Sequence, residues 1–182
     1  MTSPGPVTRD LLQTLEDVRA RTFARLEGLT DAEYLWEPVA ACMTLRPAAD
    51  GPYRADPRSA EDPLPAPFTT IGWRVWHIGA DCLRSYGRFF EEVERDDDPQ
   101  LWPGTADAGV RALAEDWSVF RSRVESLGDE RLLRPMGPLG GDYAHESYLL
   151  LVLHALDEAA HHGAEIGVIR DLHHHGLAVH RS

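Results

Sequence analysis

Residues 153–172 read LHALDEAAHHGAEIGVIRDL, and their spacing decides the fold. On a wheel of 3.6 residues per turn, Leu151, Ala155, Glu158, His162, Glu165, Ile166 and Ile169 share one side. That side is mostly apolar, which predicts a helix face turned into a bundle. Its middle carries a carboxylate, Glu158, and an imidazole, His162, one turn apart. Side chains at i and i+4 lie about 5–6 Å apart at Cβ, so both can reach one ion. A buried Glu is rare unless it is paired or bound to a metal. Two readings of Glu158 therefore stand: a hydrogen bond to His162 or to an Arg across the bundle, or a metal ligand.

Outward from this stretch, the same period recurs. The last helix is expected from about Ala144 to Leu172, followed by a polar, frayed tail over 173–182. Val110, Leu113, Trp117, Phe120 and Val124 predict a helix from about Ala106 to Leu127, stopped by Gly128. Trp73, Trp76, Ala80, Leu83, Gly87 and Phe90 predict another, capped by Thr69 or Thr70 and running to about Glu94. Asp96–Pro99 ends it. Leu11, Leu12, Leu15, Val18, Thr22, Phe23 and Leu26 predict the first helix, from about Thr8 to Gly28. Thr30 and Glu33 then make a capping-box pattern for a short turn, Asp31–Leu35. Between about 37 and 67 lie seven prolines, an irregular excursion with room for a short strand at Cys42–Arg46. A loop of that length is either a functional lid or a surface excursion. Arg134–Gly141 is a Pro/Gly connector. Four amphipathic helices without a convincing strand set imply an all-α four-helix bundle, a single domain over 1–182 with a long Pro-rich loop between helices 1 and 2.

Composition narrows the function. The net charge is −12, with 30 acidic against 18 basic residues, which argues against a nucleic-acid partner, because phosphate binding needs clustered cations. Every basic residue is Arg and none is Lys, so no lysine can form a Schiff base. No apolar run reaches the roughly 18 residues of a membrane span, and no signal core opens the chain, so a cytoplasmic protein is expected. Cys42 and Cys82 form neither a disulfide framework nor a CxxC.

The histidines are the unusual feature. His77 sits beside Trp73, Trp76 and Ala80 at the edge of an apolar stripe. Alone it reads as a core histidine. With Glu158 and His162 it completes a His₂Glu set from two helices that leaves one position open, as in catalytic zinc sites. Ni²⁺, Mn²⁺ or Fe²⁺ would also suit these donors. Asp81, at i+4 from His77, is a ligand or an orienting partner. His161, at i+3 from Glu158, gives half of a di-iron motif whose second half is missing. His162 ranks above it because its wheel angle lies nearer the apolar centre. His154, at i−4 from Glu158, lies near the same face. Arg74, Arg84 or Arg88 could hold an acidic group of a substrate. The run His173–His175 reads as a solvated tail.

Three stretches resemble the DinB-like superfamily: PFTTIGWRVWHIGADCLRSYGRFF at 67–90, LHALDEAAHHGAEIGVIRDL at 153–172 and GLTDAEYLWEPV at 28–39. The resemblance covers most of the chain apart from the loop and the tail. It implies a helical bundle and, by position, metal ligands at His77, Glu158 and His162. Many members use three histidines; the Glu at 158 is similar to the His-Glu-His set of the N-terminal metal-binding domain of mycothiol-dependent maleylpyruvate isomerase. The resemblance further implies a metal-dependent enzyme that uses a low-molecular-weight thiol in transfer, isomerisation or hydrolysis, and a homodimer. The alternative is a non-catalytic stress-response or ligand-binding bundle with a structural or vestigial metal, or a bundle without metal that acts through protein contacts.

Overall fold

The computed structural model of the protein describes residues 4–49, 51–58, 64–91 and 98–176. Four long helical segments form the expected bundle. Helix α1, Pro6–Leu26, opens with Pro at its first position, where the missing N–H costs nothing. Its buried side is Leu11, Leu12, Leu15, Val18 and Leu26. A short helix α2, Asp31–Tyr34, follows. The capping box is present: Thr30 Oγ1 accepts from the Glu33 amide, and the Glu33 carboxylate accepts from the Thr30 amide.

The second long segment is not one regular α-helix, as periodicity alone suggested. It runs as α3, Ile71–Trp76, then a π-helix, His77–Arg84, then α4, Ser85–Glu91. The wider turn of a π-helix re-aims side chains, which is why such segments occur at functional sites. Gly79 sits inside it, against the Trp102 ring; a Cβ there would stand 2.5 Å from that ring. The expected end at Glu94 lies outside the described residues.

Helix α5, Ala106–Leu132, runs past its expected stop. Gly128 does break the helical path, with φ of +65°, a conformation suited to glycine. One more turn follows it, because Asp129 has work to do there. Its carboxylate accepts from the amides of Val7 and Thr8 and from the Thr8 hydroxyl, capping α1, whose own N-cap, Gly5, has no side chain to offer. Helix α6, Tyr148–His174, starts four residues later than expected. Ser147 is its cap, accepting from the Leu150 amide, and residues 137–143 form a 3₁₀ turn before it. At the other end α6 continues through His174, so the expected fraying at 173 does not occur; 177–182 lie outside the described residues.

Helix α1 lies against α5 and α6, and the π-helix packs on the same two. The core between them holds Leu15, Ile71, Val75, Ile78, Leu83, Leu113, Trp117, Phe120 and Ile166, all essentially sealed from water.

The mainly helical fold carries one small sheet, and the short strand expected at Cys42–Arg46 overlaps its first strand. Strands β1, Leu45–Pro47, β2, Tyr53–Ala55, and β3, Leu101–Trp102, form an antiparallel sheet in the order β1-β2-β3. The Pro-rich excursion is thus pinned to the segment before α5. It is also pinned to α3: Trp73 donates its indole N–H to the Asp56 carbonyl, and the Met43 carbonyl accepts from Thr70.

Candidate metal centre

His77 is the first residue of the π-helix and faces α6, where Glu158 and His162 lie one turn apart. Glu158 Oε2 meets His77 Nε2 at 2.9 Å and His162 Nε2 at 3.0 Å. The two imidazoles sit nearly edge to face, with centroids 4.7 Å apart. All three residues offer ligand atoms within 4.8 Å of one another.

The other ring nitrogens are committed elsewhere. His77 Nδ1 meets Asp81 Oδ2 at 2.8 Å, and His162 Nδ1 meets Glu165 Oε2 at 2.7 Å. Without an ion, a proton on Nε2 bridges each imidazole to Glu158; when an ion takes the place of that proton, the carboxylate behind Nδ1 keeps the proton there and orients the Nε2 lone pair inward. The donor set therefore fits a divalent ion with affinity for nitrogen. Trp73 stacks on the His77 ring at 5.2 Å and 17°, so the indole anchored to Asp56 fixes the ring's plane. The excursion thus reaches the site through one hydrogen bond.

The electrostatics agree. Burial by itself would raise the Glu158 pKa. The hydrogen bond from His77 and the charges of His162, His77 and His154 outweigh it and hold the carboxyl below its usual range. Glu165 is lowered in the same way, against burial, by His162 and Arg74. Both carboxylates are anions at neutral pH.

The residues named from sequence divide clearly. Asp81 lies on His77. Arg74 pairs with Glu165 at 2.8 Å. His161 also lies on Glu165, at 3.2 Å, with its side chain mostly in solvent, and does not reach Glu158. His154 stands 3.9 Å from the other Glu158 oxygen and stacks on Tyr86. Arg84 is bound to Asp116. Glu165 was visible on the wheel but had no role assigned; its i+3 spacing from His162 is the signal that names it. Arg58, from the excursion, carried no signal at all.

The cluster opens on a cavity of about 330 Å³, lined also by Met43, Arg58, Trp73, Arg74 and His161. On the far side of His77 and Arg58 lies a larger cavity of about 620 Å³, bounded by Tyr86, Arg88, Phe89, Met136 and Leu151. Arg58 and Arg88 make no ion pair among the described residues, unlike Arg74 and Arg84. Neither cysteine lines these two cavities, and burial pushes the Cys42 thiol up to about 12 and the Cys82 thiol up as well.

Two further groups of His and Glu in the described residues have metal-ligand spacing: His161–His162–Glu165, which shares His162, and Glu33–His173–His174. No helix among these residues is long and apolar enough to cross a membrane. No curated protein and no solved structure matches the chain. The sequence model of the DinB superfamily does match, over residues 14–166, a span that contains His77, Glu158 and His162 together with the carboxylates behind them, and the chain belongs to that superfamily.

Proposed function

We propose that this protein is a divalent-metal-dependent enzyme acting on a small molecule, with zinc at His77, Glu158 and His162 and a low-molecular-weight thiol of the mycothiol type as cosubstrate. The observation that carries the reading is the pair of carboxylate-backed imidazoles, both turned through Nε2 onto one half-buried Glu beside a cavity. A structural zinc site is closed by four protein ligands, whereas three ligands beside a cavity leave a position for a reactant. When bound, such an ion acidifies a thiol or water that enters that position.

The chain's own groups have definable roles around it. Asp81 and Glu165 hold the two imidazoles in register. Arg74 fixes Glu165. Arg58 and Arg88, without carboxylate partners among the described residues, suit acidic substituents on a reactant in the larger cavity. The protein's own thiols are buried and stay protonated, so a nucleophilic sulfur has to come from a cosubstrate.

The test is elemental analysis of untagged protein beside Glu158→Ala and His77→Ala variants, followed by assay of thiol transfer to electrophiles. About one first-row metal per chain, lost in both variants together with thiol-dependent turnover, supports the proposal. A parent chain that takes up no metal after loading, or a Glu158→Ala variant that keeps metal and turnover, overturns it.

A further inference from the structure

The second His₂Glu cluster lies at the other end of α6. Glu33, on α2, is buried, and His173 and His174 reach it from the last turn of α6. Glu33 Oε1 meets His174 Nε2 at 2.8 Å. His173 packs edge-on against Trp36 with centroids 5.2 Å apart. Its Nδ1 is shut off from solvent and has no hydrogen-bond partner among the described residues, a state that leaves a polar nitrogen unsatisfied. The three residues offer ligand atoms within 4.8 Å of one another. Both histidines fall beyond residue 166, where the superfamily match ends.

We propose that Glu33, His173 and His174 form a second, weaker metal site, independent of the first, which takes a late first-row divalent ion and clasps the end of α6 to α2. Two imidazoles with one carboxylate select Zn²⁺, Ni²⁺ or Cu²⁺ over Ca²⁺ or Mg²⁺. A bound ion would replace the hydrogen bond between His174 and Glu33 and give the orphaned His173 nitrogen a partner. The affinity is limited by Arg170, whose guanidinium donates to Glu33 Oε1 at 2.9 Å and is itself held by the carbonyls of Arg25 and Glu27. A fixed cation so close repels the ion. The half-exposed His174 leaves the site open to solvent exchange. This is a site for stability, filled after the centre at Glu158.

Equilibrium dialysis of untagged protein against Zn²⁺ tests it, with melting curves of the metal-free variants as a check that each folds. The expected result is two Zn²⁺ per chain, the second bound at least tenfold more weakly than the first. His174→Ala, at an exposed position, and His173→Ala each remove the weaker equivalent, while His175→Ala keeps it. Glu158→Ala removes the tighter equivalent and spares the weaker, which separates failure here from failure of the catalytic reading. A single equivalent in the parent overturns the proposal. So does a weaker equivalent indifferent to His173→Ala and His174→Ala, or one lost as readily in His175→Ala, which would mark loose binding by the histidine run.

Discussion

Glu158 and Glu33 are both buried or half-buried glutamates with two imidazoles within 4.8 Å, yet their surroundings give them opposite tasks. Glu33 is saturated. Its Oε2 accepts from the Thr30 amide and hydroxyl, and its Oε1 from Arg170 and His174, which uses about all the lone pairs a carboxylate has. Glu158 is held, among the described residues, by imidazoles alone, and its Oε1 has only His154 at 3.9 Å. The histidines differ as well. Those at Glu158 are each backed by a carboxylate, whereas among the described residues no second carboxylate orients His173 or His174. A cation at Glu158 meets spare lone pairs on the carboxylate and imidazoles already oriented by Asp81 and Glu165. A cation at Glu33 has to share an anion already neutralised by a guanidinium. Identity of ligands does not set affinity; what stands behind them does.

The comparison breaks first on stability. Glu33→Ala strips the carboxylate partner from Arg170, whose side chain is largely buried, and removes one half of the α2 capping box. Removing one side of a buried pair costs about 3–5 kcal/mol, and chemical denaturation of the metal-free protein measures it. Glu158→Ala in the same metal-free state should cost about 1 kcal/mol or less, because His77 and His162 keep Asp81 and Glu165. Equal losses in the two variants would erase the distinction between a structural and a functional carboxylate.

The next effect is on metal affinity. Asp81→Ala and Glu165→Ala should each weaken the tighter equivalent by about 10–100-fold without removing it, the usual consequence of losing a histidine's hydrogen-bond partner. Competition with a chelator of known affinity measures it. An unchanged affinity in both would mean that Trp73 stacking, not the carboxylates, orients the imidazoles.

How much of this was legible follows from range in sequence. The helical period, the capping box at Thr30 and the i, i+4 spacing of Glu158 and His162 are local patterns, and they appear in the fold. His77 was legible only in company: alone it reads as a core histidine, and Glu158 and His162 on another helix make it a ligand candidate. The π-helix was not, since nothing between His77 and Arg84 departs from an α-helical period; its geometry is set by packing against Trp102 and α5. The sheet was hidden for a similar reason: β2 pairs with β3 nearly fifty residues away. The order of His173 and His174 was hidden too, because it depends on Trp36 and Glu33, some 140 residues earlier.

The smallest expected effect concerns pH and the cap. Burial tends to raise the Glu33 pKa, but the Thr30 amide, Arg170, the Thr30 hydroxyl and His174 together bring it down to about 2. A carboxyl lowered in the folded state contributes stability above its unfolded value, near 4.5, and that contribution is lost as pH falls from there toward 2. The metal-free protein should therefore lose stability across this window, and Glu33→Gln should flatten that part of the profile while lowering stability at neutral pH. Thr30→Ala removes the hydroxyl from both sides of the box, leaving the Glu33 amide without its acceptor and Oε2 with only the Thr30 amide. It should cost about 1 kcal/mol and raise the acid midpoint, because one of the groups holding Glu33 ionised is gone. A Thr30→Ala profile that overlays the parent's would mean that the residue-30 amide, Arg170 and His174 suffice to keep this carboxylate charged, and would move the contrast with Glu158 off the hydroxyl and onto those groups.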